Sequence, residues 1–318
     1  MLRSDWWRCL HAAGQRRLRT ALGRGALSLL LLWCGCSVSP PQKSFKISTQ
    51  PIRVDYRRVN TLMIPGPLPV VVFESGLGDT MRSWSAVQPR LAGRAYTFAY
   101  DRGGLGGSDP IPPPRDGRQI ALELHTALTN AHLPPPYVLV GHSAGAFYIR
   151  IFAGLYPGEV AGFVFVEPAT EYFFNALQTQ FPGDYRVFAE QRDNPRMPPY
   201  VRHEAQAWDA TVDEARASIL PKVPMTVITA GQSWPDQWEL WWQGHEMLVQ
   251  ESPRPRHKIA KLSGHYVQLS QPELVADAIM EVLADSRAMG KAGPKAGPCQ
   301  PARAISRSSC VMQTPTNP

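Results

Sequence analysis

Residues 137–145 read Tyr137-Val138-Leu139-Val140-Gly141-His142-Ser143-Ala144-Gly145, and a helix-compatible stretch follows from Ala146 through Leu155. An apolar run that ends in G-x-S-x-G and continues into a helix is the sequence form of a sharp strand-to-helix turn. Small residues at Gly141 and Gly145 let strand and helix approach, and the strained turn lifts the Ser143 hydroxyl above the strand end. The five-residue pattern alone is common; the strand before it and the helix after it give it weight. Ser143 is therefore the candidate nucleophile.

A serine hydroxyl attacks poorly at neutral pH, so it needs a base, a carboxylate that orients the base, and donors for the developing oxyanion. Residues 257–283 read as a short strand, a Ser263-Gly264 turn carrying His265, and an amphipathic helix opened by Pro272. A histidine on the loop after a last strand can reach the serine turn, and His265 is the candidate base. The other histidines have no such setting. His11 precedes an apolar leader, His125 and His132 flank a helical segment, and His203 and His245 lie in polar or Trp-rich stretches as surface or packing residues. His142 belongs to the turn and points away from the hydroxyl, while His257 opens the strand.

Upstream, Pro69-Val70-Val71-Val72-Phe73-Glu74 is a buried strand running into Ser75-Gly76-Leu77-Gly78-Asp79. The backbone N–H of Leu77, freed by Gly76 and Gly78, and that of Ala144 at the start of the helix are expected to converge on a substrate carbonyl oxygen. The next strand, Ala95 to Tyr100, leads into Asp101-Arg102-Gly103-Gly104-Leu105-Gly106-Gly107-Ser108-Asp109, read as a flexible loop at the same sheet edge. That loop lacks the Gly-Lys-Ser/Thr ending of a phosphate-binding loop and the G-x-G-x-x-G spacing of a dinucleotide fold, so nucleotide binding is not expected.

In this order, Glu74–Asp79, Tyr100–Asp109, Gly141–Gly145 and Ser263-Gly264-His265 resemble the α/β-hydrolase family, in its serine esterase and lipase-like form, over roughly residues 45–285. The resemblance implies an eight-stranded, mostly parallel α/β sheet with helices on both faces, the nucleophile after the fifth strand and the base after the eighth. Ser75 departs from the histidine that many relatives carry there, with little effect expected because the donor is backbone. The family's chain order puts the triad acid between Ser143 and His265. Strand six, Gly162 to Val166, ends directly at Glu167; strand seven, Pro224 to Ala230, is followed by Gly231-Gln232-Ser233-Trp234-Pro235-Asp236. Most relatives carry the acid near strand seven, but Asp236 lies beyond the usual offset in a Trp-rich stretch. Glu167 is preferred, with Asp236 the alternative. A serine rather than a carboxylate nucleophile disfavours the dehalogenase and epoxide hydrolase branches, so the expected activity is cleavage of a small-molecule carboxylic ester through an acyl-enzyme. The rival expectations are a non-catalytic ligand-binding protein on the same fold, and acyl transfer, peracid formation, or amide or carbon–carbon cleavage in the same site.

Between strands six and seven, residues 169–220 hold Tyr172, Phe173, Phe174, Phe181, Tyr185, Phe188, Tyr200 and Trp208 among polar residues, as in short amphipathic helices that cap a pocket. With Trp234, Trp238, Trp241 and Trp242 they either line an apolar acyl site or only pack the cap onto the sheet.

The 318 residues carry a single ordered set of motifs and no internal repeat, which points to one catalytic domain over residues 37–285. The formal charge is +7, but residues 1–36 and 286–318 hold +5 each, leaving the 249 residues between them at −3. Nucleic-acid binding by the folded domain is therefore not expected. Neither H-E-x-x-H nor a C-x-x-C pair occurs, so no metal or other cofactor is expected. Residues 1–36 combine six arginines with an apolar run from Ala26 to Trp33 that stops at Cys34-Gly35-Cys36. That run is too short to span a bilayer and reads as an export signal, with Cys36 as a lipid-anchored membrane attachment site. Without that signal the protein would stay in the cytoplasm. The segment 286–318 reads as a disordered basic tail in which Cys299 and Cys310 could pair in an oxidising compartment.

Overall fold

The computed structural model describes residues 48–49, 51–234 and 236–291. The leader, the tail beyond residue 291 and all five cysteines lie outside the described residues. Ten strands form. β1 (Ser48–Thr49), β4 (Thr61–Ile64), β5 (Val70–Glu74), β6 (Tyr96–Tyr100), β7 (Tyr137–His142), β8 (Val160–Val166), β9 (Met225–Ala230) and β10 (Pro255–Ala260) build the main sheet. β2 (Ile52–Val54) and β3 (Arg57–Val59) make a separate hairpin. The main sheet has the order β1-β4-β6-β5-β7-β8-β9-β10; β4 pairs antiparallel with β1 and β6, and every other pairing is parallel.

The central strands read as unbroken apolar runs because both faces are covered. Period-two alternation sends Val70, Val72, Leu139, Phe163 and Phe165 into one core, and Val71, Phe73, Val138, Val140, Val164 and Val166 into the other. On the first face lie helices α1 (Gly117–Asn130) and α2 (Gly145–Leu155). Between β8 and β9 come α3 (Glu171–Gln180), α4 (Pro182–Arg192), α5 (Pro199–Gln206) and α6 (Trp208–Ala217). After β9 comes α7 (Trp238–Val249), and after β10 come α8 (Val267–Ser270) and α9 (Pro272–Lys291). The second face is closed by α9, through Val275, Ala278, Ile279, Val282 and Leu283, and by the turns bearing Trp84, Val87 and Leu91.

One boundary and one loop differ from what the sequence suggests. The last helix runs through Lys291 rather than ending near residue 285, because Ser286 Oγ hydrogen-bonds Ala161 O at 2.7 Å and Arg287 reaches Leu68 O, tying this turn to the sheet. The 101–109 loop is not loose. Asp101 accepts hydrogen bonds from the N–H groups of Met81 and Gly107 and from Asn60 Nδ2, while Ser108 Oγ donates to Asp101 O.

The buried aromatics of α3 to α6 are the cap's own core. Phe174, Phe188 and Trp208 pack on one another with ring centroids 4.9–5.2 Å apart, Trp208 edge-on to both phenylalanines, and Trp208 meets Phe147 of α2 edge-on at 5.6 Å. Phe173 packs on Trp234 and Trp241. For these rings packing, rather than an open acyl site, is the observed role.

Candidate active site

The chain leaves β5 toward β6 on one side, and leaves β7 toward β8 on the other. The crevice between their C-terminal ends is the switch point at which open α/β sheets bind ligands. The sequence brings its chemistry to this edge.

Ser143 follows β7 with φ of 51°, a left-handed conformation that a serine adopts only when its surroundings enforce it. The enforcing contacts are local. A Cβ on Gly145 would lie 2.6 Å from Glu74 O, and one on Gly141 would lie 2.9 Å from Gly145 O, so any side chain at either position would push the helix off the strand. Ser143 N–H donates to Val166 O, and Ser143 O accepts from Ala146 and Ala169 N–H, which ties the turn to the end of β8.

His265 lies on the loop after β10, and its Nε2 is 3.0 Å from Ser143 Oγ. Its backbone oxygen accepts from Nε2 of the buried His142, so the turn's own histidine holds the loop that carries the imidazole. On the far side, His265 Nδ1 faces Glu167 Oε1 at 3.8 Å, within ion-pair range but longer than a direct hydrogen bond. Both atoms are buried without another hydrogen-bond partner, so each is the other's nearest complement. Glu167 is fully buried with φ of 49°, its N–H donates to Ile228 O, and its Oε2 accepts the Ala230 N–H at 2.6 Å. Burial alone would raise its carboxyl. The facing His265 imidazole, the neighbouring His245 and the Ala230 N–H together outweigh burial and hold it below the usual carboxylate value. Asp236, by contrast, is exposed on the loop between β9 and α7, and among the described residues the carboxylate that pairs with His265 is Glu167.

Gly76 and Gly78 flank Leu77 directly above the serine turn; a Cβ on Gly76 would lie 3.4 Å from Ser143 Cβ. The N–H groups of Leu77 and Ala144 have no hydrogen-bond partner among the described residues. Ala144 is also the N-cap of α2, where the helix dipole favours negative charge. The edge thus presents a hydroxyl, an imidazole, a buried carboxylate and two unengaged amides.

Residues 69–240, more than half of the chain, match the family described as alpha/beta hydrolase fold. The chain belongs to this family. An α/β-hydrolase is therefore the frame for the site. The chain is 26% identical to the uncharacterized protein YqjL of Bacillus subtilis over 220 residues, 67% of this chain and 82% of that protein. It is 33% identical over 132 residues to a protein of Hormonema carpetanum named as probable transporter efuK, a match to 40% of this chain that spans 19% of the relative's length. Among solved structures, a thermophilic esterase from Thermogutta terrifontis with malate bound superposes with a TM-score of 0.58 at 18% identity, covering 76% of this chain and 99% of that one. At that identity the likeness is one of fold.

Several residues of the site were not visible in the sequence reading. His245 is fully buried: its Nε2 donates to Pro168 O at 2.8 Å and its Nδ1 meets Thr229 Oγ1 at 2.6 Å, and burial first of all lowers its pKa to about 4. It therefore stands neutral behind Glu167. Arg102 and Glu204, also buried, meet under the Leu77 loop. Among the described residues no group of three His, Cys, Asp or Glu side chains is arranged to hold a metal, and no helix is long and apolar enough to cross a membrane.

Proposed function

We propose that this α/β-hydrolase cleaves carboxylic esters of small molecules through a Ser143 acyl-enzyme. The observation that carries the reading is the 3.0 Å contact between His265 Nε2 and Ser143 Oγ beside two unengaged amides. In the first step His265 Nε2 takes the hydroxyl proton as Ser143 Oγ bonds to the ester carbonyl carbon, and the oxyanion is received by the Leu77 and Ala144 N–H groups. The tetrahedral adduct collapses, the carbon–oxygen bond to the alcohol breaks, and the imidazolium returns the proton to the departing alkoxide. Water repeats the sequence on the acyl-enzyme and releases the carboxylic acid. Glu167 keeps its charge throughout and supports the imidazolium.

The acyl part is proposed to be apolar, because Leu77 above the serine turn borders Met197 and Ala205 of the cap, beside a cavity of about 10 Å³. The sequence leader supports export with attachment through Cys36. Cell fractionation of wild type and Cys36→Ser tests it, and recovery of both in the cytosol would end that reading.

The activity is tested on p-nitrophenyl esters of increasing acyl length, with Ser143→Ala in parallel. Turnover that is lost in Ser143→Ala is expected, and the acyl length turned over fastest sizes the site. Folded wild type no faster than Ser143→Ala on every ester would instead favour a ligand-binding protein or a different scissile bond.

A further inference from the structure

Beneath the Leu77 loop lies a charged cluster that the acyl-enzyme chemistry does not use. The Arg102 side chain is 1% exposed and spends all five of its N–H donors. Nε and one Nη2 hydrogen go to the two oxygens of Glu204, each at 2.8 Å. Nη1 donates to Glu74 Oε1 at 2.7 Å and to Ser75 O at 2.8 Å, and the remaining Nη2 hydrogen goes to Gly76 O at 2.6 Å. The face of the guanidinium rests 5.1 Å from the ring centre of Tyr148 on α2. One side chain therefore touches the end of β5, the loop above the serine, the helix behind the serine and the cap.

The bond to Gly76 O has a geometric consequence. Gly76 O and the Leu77 N–H belong to the same peptide unit, and in a trans peptide the carbonyl and the N–H point in opposite directions. Gly76 O also accepts the Asp79 N–H at 3.1 Å; with the carbonyl held by these two donors, the Leu77 N–H is directed the opposite way, away from Arg102. The Arg102 cation also polarises that amide, so the N–H becomes a stronger donor to an oxyanion. Glu204 connects this peptide to the cap. It lies on α5, grips Arg102 through both oxygens, and its Oε2 accepts the N–H of Gly78 at 3.3 Å, so one cap carboxylate holds both sides of Leu77.

We propose that Arg102 is a positioning residue that sets the Gly76–Leu77 peptide as an oxyanion donor, and that Glu204 makes this setting conditional on a seated cap. The inference rests on the serine-hydrolase reading above. It implies that lifting α5 off the site removes the bidentate partner of Arg102 and loosens the donor, so transition-state stabilisation and cap closure are one event.

A lysine at 102 keeps the charge but cannot serve two carboxylates and two backbone carbonyls in a plane. Glu204→Gln keeps the shape and removes one charge. Both variants are assayed for kcat and KM on a p-nitrophenyl ester, and for inhibition by a phenylboronic acid, whose tetrahedral adduct with a serine places an oxygen where the oxyanion would sit. Losing one oxyanion donor costs roughly 10²- to 10³-fold in kcat, so a misdirected donor is expected to cost about 10- to 100-fold in Arg102→Lys and somewhat less in Glu204→Gln. Boronic-acid affinity should weaken by a matching factor while KM moves less than about threefold. A purely structural role would not make the two losses track each other. Folded Arg102→Lys with unchanged kcat and unchanged boronic-acid affinity overturns the proposal; if that variant does not fold, the same pair of unchanged values in Glu204→Gln overturns it. Ser143→Ala separates the two levels. If it still turns over, the serine reading fails; if it is inactive while both cluster variants match wild type, only the positioning role fails.

Discussion

Replacing Glu167 by Gln removes one charge from the site and leaves the shape of the side chain in place. The carboxylate is fully buried and stands 3.8 Å from His265 Nδ1, whose side chain is 21% exposed. At an effective dielectric constant of about 20, a unit charge at that distance stabilises an imidazolium by about 4 kcal/mol, on the order of 10³ in rate. Partial exposure of the imidazole trims this, so a fall of about 10²- to 10³-fold in kcat/KM is expected. A Gln oxygen can still accept the Ala230 N–H, and the variant should fold, as thermal unfolding and circular dichroism would show. Asp236→Asn serves as the comparison and should stay within about twofold of wild type, because its carboxylate is exposed and screened by solvent. The assay is steady-state hydrolysis of a short p-nitrophenyl ester by the two purified variants. Folded Glu167→Gln with more than a tenth of wild-type kcat/KM, beside an inactive Asp236→Asn, would refute the assignment of the acid.

Two further outcomes follow from particular residues. His245, faced by Glu167, His257 and His265, has a folded-state pKa of about 4 against 6.5 when free, so the unfolded chain binds the extra proton between those values. Its contribution is intact above pH 6.5 and declines as the pH falls to about 4, by up to about 3 kcal/mol; urea unfolding should show that slope in wild type and a shallower one in His245→Gln. Gly78 has φ of 70°, and a Cβ there would lie 2.7 Å from Val201 Cγ1 on the cap. Gly78→Ala should cost about 2–4 kcal/mol in unfolding free energy, and an unchanged melting temperature would contradict the packing described for this loop.

The parts of this fold that were legible in the sequence are those governed by short-range rules. Gly141, Ser143 and Gly145 act within one turn, buried parallel strands announce themselves as apolar runs, and the place of Glu167 at the sheet edge was readable because it comes directly after Val166 at a strand end. The parts that were not legible depend on partners far apart in the chain. Arg102 and Glu204 are joined only by the closure of the cap, and the sequence signal was no more than two charges, Glu74 and Arg102, set at the ends of apolar strands. His245 read as a packing residue, and only the fold reveals that it lies buried behind Glu167. The glycines at 103, 104, 106 and 107 suggested a mobile loop, whereas Asp101 fastens it from within. Cap aromatics looked equally suited to a pocket or to packing, because composition does not say which face of a short helix is covered.

The claim on which the rest depends is that Ser143 becomes covalently acylated. Intact-mass analysis and peptide mapping after treatment with a fluorophosphonate, which phosphonylates an activated serine and expels fluoride, test it most directly. One adduct per chain is expected, on the peptide containing Ser143, absent in Ser143→Ala and formed much more slowly in His265→Gln. Ester turnover by wild type with no adduct at Ser143, or with an adduct that persists in Ser143→Ala, would contradict it.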